Sequence, residues 1–286
     1  METTNSSIPV IKVLFTLHPE VDALDVLNPY EVFNQTLQNV SDPSSKAFQC
    51  TFAGPSEVVT AAQGCGFKCE LSLEEAQKKL REFDIVVVPG GNTAQVLKAK
   101  SQPLKIIRAF SDLQIKDPHK ERTLMSIGTG SMFLAEQGIL SGLSATTHPD
   151  YFAKLENLCA QVTARDLSER PDVLEERYVV NNLRYDLGDP DENPYIRKRS
   201  DHRRPSNARK GSNAWKESNT RRESVLKRAA MRLGGLRVIT AGGTSCGIDA
   251  SLYLVSAMVS EESAAEVTRV MQHNWIKGVV VDGIDV

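Results

Sequence analysis

The chain has 286 residues, 41% apolar and 24% charged, with a formal net charge of −2 at pH 7. That is the composition of a globular protein with a sizeable core. The near-balanced charge excludes a surface given over to nucleic acid or to an acidic membrane.

No run approaches the roughly 18 apolar residues of a bilayer span. The opening METTNSSIPV lacks the basic start and apolar stretch of a secretory leader. Cys50, Cys65, Cys69, Cys159 and Cys246 are odd in number and scattered, which suits a reducing compartment, and a cytoplasmic location is expected. Cys65 and Cys69 are spaced as half of a zinc site, but no matching Cys/His pair follows, so neither a metal nor another cofactor is expected.

Residues 10–17 (VIKVLFTL) form a near-continuous apolar run, the mark of a strand buried on both faces of a parallel sheet. Residues 21–33 (VDALDVLNPYEVF) follow, interrupted by Pro29. They read as a turn up to about Asn28 and a helix from Pro29, where proline is tolerated at the first position. Asp25 lies in this turn, and taken alone it reads as a cap.

A second strand is predicted at residues 47–53. A helix over 72–82 opens with a capping box, Ser72 with Glu75 three residues on. The buried strand FDIVVV at 83–88 runs into Pro89-Gly90-Gly91-Asn92, where two glycines let backbone N–H groups approach a ligand. An amphipathic helix is predicted over 102–115.

The chain is organised around LMSIGTGSMFLAEQGIL, residues 124–140. An apolar strand over 123–127 ends at Gly128-Thr129-Gly130, and a helix follows at once over 131–137. In many α/β enzymes a nucleophile stands on such a strained turn, at a helix N-terminus that can hold an anion. Position 128 carries neither cysteine nor serine.

Residues 145–149 (ATTHP) read as a short strand ending in His148, followed by a helix over 150–158. Strands are predicted over 176–182 and 236–241. The glycine-rich turn at 242–247 then opens a helix over 248–260 that is apolar nearly all round, and an amphipathic helix follows over 262–275. The alternation of strand and helix predicts a doubly wound, mainly parallel sheet with helices on both faces. Sites in such sheets form beyond the strand C-terminal ends. Asp25, Gly90, Gly91, Gly128, Thr129 and His148 all fall there.

The segment at about 184–234 breaks the pattern with prolines and arginine pairs. It reads as a basic, disordered or partly helical insertion in a single domain spanning 8–286. Nuclear import and phosphorylation at Ser206 or Ser224 are its functional readings. Nucleic-acid binding is not expected, since Tyr185, Tyr195 and Trp215 are the segment's only aromatics.

Five ordered motifs carry a resemblance: Asp25 within LDVLNPYEVF, VPGG at 88–91, the SIGTG elbow, ATTH at 145–148 and TAGGTSCGIDASL at 240–252. Together they resemble the DJ-1/PfpI superfamily, most nearly its isonitrile hydratase branch. The resemblance implies a flavodoxin-like fold, akin to class I glutamine amidotransferases, and usually a homodimer acting on a small molecule. In that branch a cysteine attacks the isonitrile carbon, an aspartate handles protons and a threonine orders the site, giving an N-substituted formamide. By resemblance Asp25, Thr129 and His148 are the catalytic candidates. Gly90, Gly91, Gly128 and Gly130 are the backbone that holds substrate. The cysteine's place is taken by Gly128, which offers no nucleophile. Two readings follow: an isonitrile hydratase-like enzyme working through Asp25, or a non-catalytic, ligand-binding member.

Overall fold

The computed structural model describes residues 9–117, 120–182, 185–186, 209–210 and 233–282. The central sheet has the strand order β12-β15-β10-β14-β7-β6-β1-β2-β5. These are Arg209–Lys210 (β12), Val279–Asp282 (β15), Tyr178–Asn182 (β10), Leu236–Ala241 (β14), Arg122–Ile127 (β7), Ile85–Val88 (β6), Ile11–Thr16 (β1), Phe48–Gly54 (β2) and Leu71–Ser72 (β5). From β14 to β5 every pairing is parallel. β10 runs antiparallel to β14. The mainly parallel, doubly wound sheet read from the sequence is therefore present, with reversed strands at one side.

The inner strands alternate with a period of two between two cores. Val13, Phe15, Ile85, Val87, Met125, Ile127 and Ile239 face one core. Leu14, Val86, Val88, Leu124 and Val238 face the other. The first core is closed by the helices Ala23–Gln35 (α1), Ser245–Met258 (α7) and Glu261–Val270 (α8). The second is closed by Leu73–Lys78 (α2), Leu104–Lys116 (α4), Ser131–Glu136 (α5) and Phe152–Asp166 (α6). A short helix, Ala94–Ala99 (α3), follows β6. With both faces covered, the central strands have no face left for water, hence the unbroken apolar run Ile85–Val88 of β6.

Chain order reverses at β1. β2 lies on one side of it and β6 on the other, which opens a crevice at their C-terminal ends. The turns after β1, β6, β7 and β14 all deliver residues to this edge.

The structure corrects several expectations. α1 begins at Ala23, not at Pro29, because Asp22 caps it by accepting the N–H groups of Leu24 and Asp25. Pro29 sits inside the helix, and its missing N–H falls opposite the carbonyl of residue 25. Asp25 is thus a first-turn residue and not the cap. The capping box of Ser72 and Glu75 is present, but its helix stops at Lys78 and a 3-10 turn, Leu80–Glu82, follows. The strand expected over 145–149 is Ser144–Ala145 (β8), paired with Asp172–Val173 (β9) outside the main sheet. His148 lies beyond it and caps the 3-10 turn Pro149–Tyr151. The hairpin Val58–Thr60 with Gly66–Lys68 (β3 and β4) was not read from the sequence at all.

The basic segment at 184–234, with Ser206 and Ser224, lies outside the described residues. Exceptions are three two-residue strands, Tyr185–Asp186 (β11), β12 and Leu233–Gly234 (β13). Among the described residues no helix is long and apolar enough to cross a membrane.

Candidate active site

Backbone pairing fixes the site before any side chain does. The loop after β1 is zipped to the turn after β6. Asp22 N donates to the Gly90 carbonyl at 2.9 Å, and Asn92 N donates to the Glu20 carbonyl at 3.0 Å. α1 therefore starts directly over Pro89-Gly90-Gly91, with Asp25 turned inward.

Asp25 is 3% exposed. Gly90 N–H donates to its Oδ2 at 3.1 Å, and Thr244 N–H donates to its Oδ1 at 3.2 Å. Burial pushes this carboxyl up to about 7, helped by the neighbouring Asp22 charge, while the two N–H groups pull the other way. Near neutrality Asp25 therefore divides between acid and carboxylate. It can both give and take a proton.

Gly128 occupies the elbow at φ +55. This is left-handed backbone, where glycine carries no Cβ penalty. A Cβ built there would lie 2.6 Å from Asp25 Oδ2, and its three nearest atoms all belong to the Asp25 carboxyl group. The space beside the elbow is filled by that carboxyl. Gly90 is hemmed in the same way, since a Cβ on it would come within 2.8 Å of Asp25 Oδ2 and closer to Thr129.

The elbow is tied on three sides. Gly128 N donates to the Gly242 carbonyl at 3.0 Å, in the turn after β14. Its own carbonyl accepts from Thr147 Oγ1 at 3.1 Å. Ser131 Oγ is 3.1 Å from the same carbonyl and 2.7 Å from Thr147 Oγ1. Both hydroxyls are buried. Nothing in the sequence pattern marks this pair.

Thr129 is buried, and its hydroxyl is engaged with Gly91. It accepts Gly91 N–H at 2.9 Å and donates to the Gly91 carbonyl at 3.0 Å. It locks the two turns together. Gly130 lies buried in the same 3-10 turn and packs against the end of β6.

His148 is partly exposed, unlike the buried Asp25. It is 41% exposed, its Nδ1 accepts from Asp150 N at 3.3 Å, and its ring lies over Gly243. Thr244, the next residue, donates to Asp25 from a strained backbone (φ 36, ψ −91). The Thr244 carbonyl is held in turn by Asn28 Nδ2 at 3.0 Å.

Two further groups border the site. His18, at the end of β1, is 1% exposed. Its Nδ1 donates to the Pro19 carbonyl at 2.9 Å, and burial lowers its pKa, so the ring is neutral. Cys246 faces Gly242, and burial raises its pKa, which keeps it a thiol and a poor nucleophile. Among the described residues no group of three or more His, Cys, Asp or Glu is placed to hold a metal ion.

This geometry has relatives. A sequence profile of the DJ-1/PfpI family matches residues 11–182. The isonitrile hydratase of Pseudomonas putida is 30% identical over 151 residues, which span 52% of this chain and 58% of that protein, less than two thirds of its length. DJ-1beta of Drosophila melanogaster is 15% identical, with a TM-score of 0.54 over 93% of this chain and 100% of that one. A THiJ/PfpI family protein from Pseudomonas syringae is 13% identical, with a TM-score of 0.58 over 95% of this chain and 78% of that one. An AraC family transcriptional regulator from Pseudomonas putida is 13% identical, with a TM-score of 0.53 over 92% of this chain and 100% of that one. The three structural likenesses speak for the fold alone.

Proposed function

On the premise that this chain belongs to the DJ-1/PfpI family, we propose that it adds water to an isonitrile to give an N-substituted formamide, with Asp25 as acid and base. The observation that carries the reading is the Asp25 carboxyl, buried, held by two N–H groups, raised to about 7 and seated against Gly128. The terminal carbon of an isonitrile is electron-rich. Its protonation by Asp25 makes it electrophilic, and the carboxylate left behind takes a proton from the water that adds. The formimidic acid so formed tautomerises to the formamide. The N–H groups of Gly90 and Thr244 steady the carboxylate between the two transfers.

The activity would serve isocyanide metabolism or detoxification, in the cytoplasm and as a homodimer. The 30% identical isonitrile hydratase supports this choice of substrate class.

The test is to incubate purified protein with an alkyl or aryl isonitrile and to measure formamide by mass spectrometry. Formation above buffer that disappears in Asp25→Asn supports the reading. No formamide, with a cysteine-bearing relative active in parallel, refutes it.

A second reading is a non-catalytic, ligand-binding member. Gly128 favours it, since the elbow offers no nucleophilic side chain. A thermal shift with isonitrile and no product would distinguish it from the first.

A further inference from the structure

We propose that Asp25 is itself the nucleophile, its Oδ2 adding to the isonitrile carbon from the place a side chain at position 128 would take. This rests on the isonitrile hydration read above, and puts covalent attack by Asp25 in place of its action as a base on water.

Every turn that builds the elbow is in place: the left-handed backbone at 128, its N–H on Gly242 and its carbonyl on Thr147. What such an elbow presents is whatever atom stands over its central residue. Here that atom is Asp25 Oδ2, 2.6 Å from the Cβ position of Gly128, closer than real Cβ contacts allow. A side chain at position 128 would have to push the carboxyl aside. Gly128 therefore gives up the nucleophile's place to the neighbouring acid, and no gap for a water molecule separates the two.

Two features orient the oxygen. Gly90 N–H holds Oδ2 at 3.1 Å and Thr244 N–H holds Oδ1 at 3.2 Å, so the carboxyl plane is fixed from both sides.

The step balances without a co-reactant. The carboxylic acid of Asp25 loses its proton to the isonitrile carbon, and Oδ2 bonds to that same carbon, giving an O-acyl formimidate. Water then adds to the imidate carbon, the bond to Oδ2 breaks, and Asp25 leaves as the carboxylic acid. Tautomerisation of the released formimidic acid gives the formamide. Nothing is oxidised or reduced. O-acyl imidates also pass their acyl group to nitrogen, so a fraction of the intermediate becomes a stable N-formyl imide on Asp25.

The experiment uses the full chain with cyclohexyl isonitrile, quenched in acid during turnover, with and without hydroxylamine. Intact-mass and peptide mass spectrometry are read alongside formamide yield. The expected result is formamide together with a mass increment of one isonitrile on the peptide bearing Asp25, replaced by a hydroxamate at Asp25 when hydroxylamine is present. Both are lost in an Asp25→Asn variant that still unfolds cooperatively. Formamide without label or hydroxamate overturns the proposal and leaves Asp25 acting on water. Label on Cys246 in place of Asp25 also overturns it. Absence of both formamide and label removes the hydratase reading and this proposal with it.

Discussion

Asp25 and Gly128 are mutually dependent: Oδ2 of the aspartate lies 2.6 Å from where a Cβ on the glycine would be. Gly128→Ala therefore has two effects. It forces an L side chain into φ +55, which costs about 1–2 kcal/mol, and it drives the Asp25 carboxyl off the elbow. Urea unfolding should show a loss of that size, and formamide formation should fall at least tenfold. Gly128→Cys carries the same strain but introduces a thiol. If formamide appears only in that variant, the natural site is a scaffold without chemistry.

The Asp25 carboxyl also sets a pH dependence. Its folded pKa is raised from 3.8 to about 7, so between those values the folded chain holds a proton that the unfolded chain has released. The contribution is full below the unfolded pKa and is lost as pH rises to about 7. By linkage it amounts to at most about 4 kcal/mol. Asp25→Asn removes the titration. Unfolding free energies measured from pH 4 to pH 8 should therefore fall more steeply in the natural chain than in the variant. Formamide formation, which begins from the protonated acid, should decline above about pH 7.

Much of this was legible in the sequence because the signals are local. The continuous apolar run at residues 85–88 reads as a strand covered on both faces, and the glycines after it and after residue 127 mark where ligands approach. The glycine at position 128 announced the missing nucleophile. What fills its space did not show, because the N–H groups that aim Asp25 come from Gly90 and Thr244, 65 and 219 residues away. Pro29 misplaced the start of α1, since proline marks a first position only where no stronger cap precedes it, and Asp22 does. Ser131 and Thr147 were invisible for another reason. Small hydroxyl residues in apolar surroundings carry no pattern, and theirs is a partnership with one carbonyl. Asp249, fully buried in α7 and bonded to Arg177 and His273, was findable, because a charged residue within an otherwise apolar helix needs partners.

The Ser131–Thr147 pair should matter to the elbow's stability. Thr147→Val keeps the shape and removes the hydroxyl that donates to the Gly128 carbonyl and pairs with Ser131 Oγ at 2.7 Å. With Ser131 Oγ still 3.1 Å from that carbonyl, the loss should be about 1–2 kcal/mol. The double variant with Ser131→Ala should cost less than the sum of the two single changes, because they share one network. Urea titrations of the three variants would measure the coupling.

Asp249 is fully buried within α7 and joins three separate parts of the chain. Oδ2 accepts from Arg177 Nε at 2.6 Å, while Oδ1 is 2.9 Å from His273 Nε2 and accepts Ile276 N–H at 3.0 Å. Arg177 precedes β10 and also reaches Ser245 Oγ at 3.1 Å, at the start of α7. The chain beyond α8 is thus pinned to the sheet through one carboxylate. Asp249→Ala leaves a partly buried guanidinium and a backbone N–H without their acceptor, and should cost about 3 kcal/mol or more. Asp249→Asn keeps an acceptor oxygen but loses the charge, and should cost less. Hydrogen exchange distinguishes local from global loss: the amide of Ile276 should lose protection in both variants, whereas amides of β7 should change only with the global unfolding free energy.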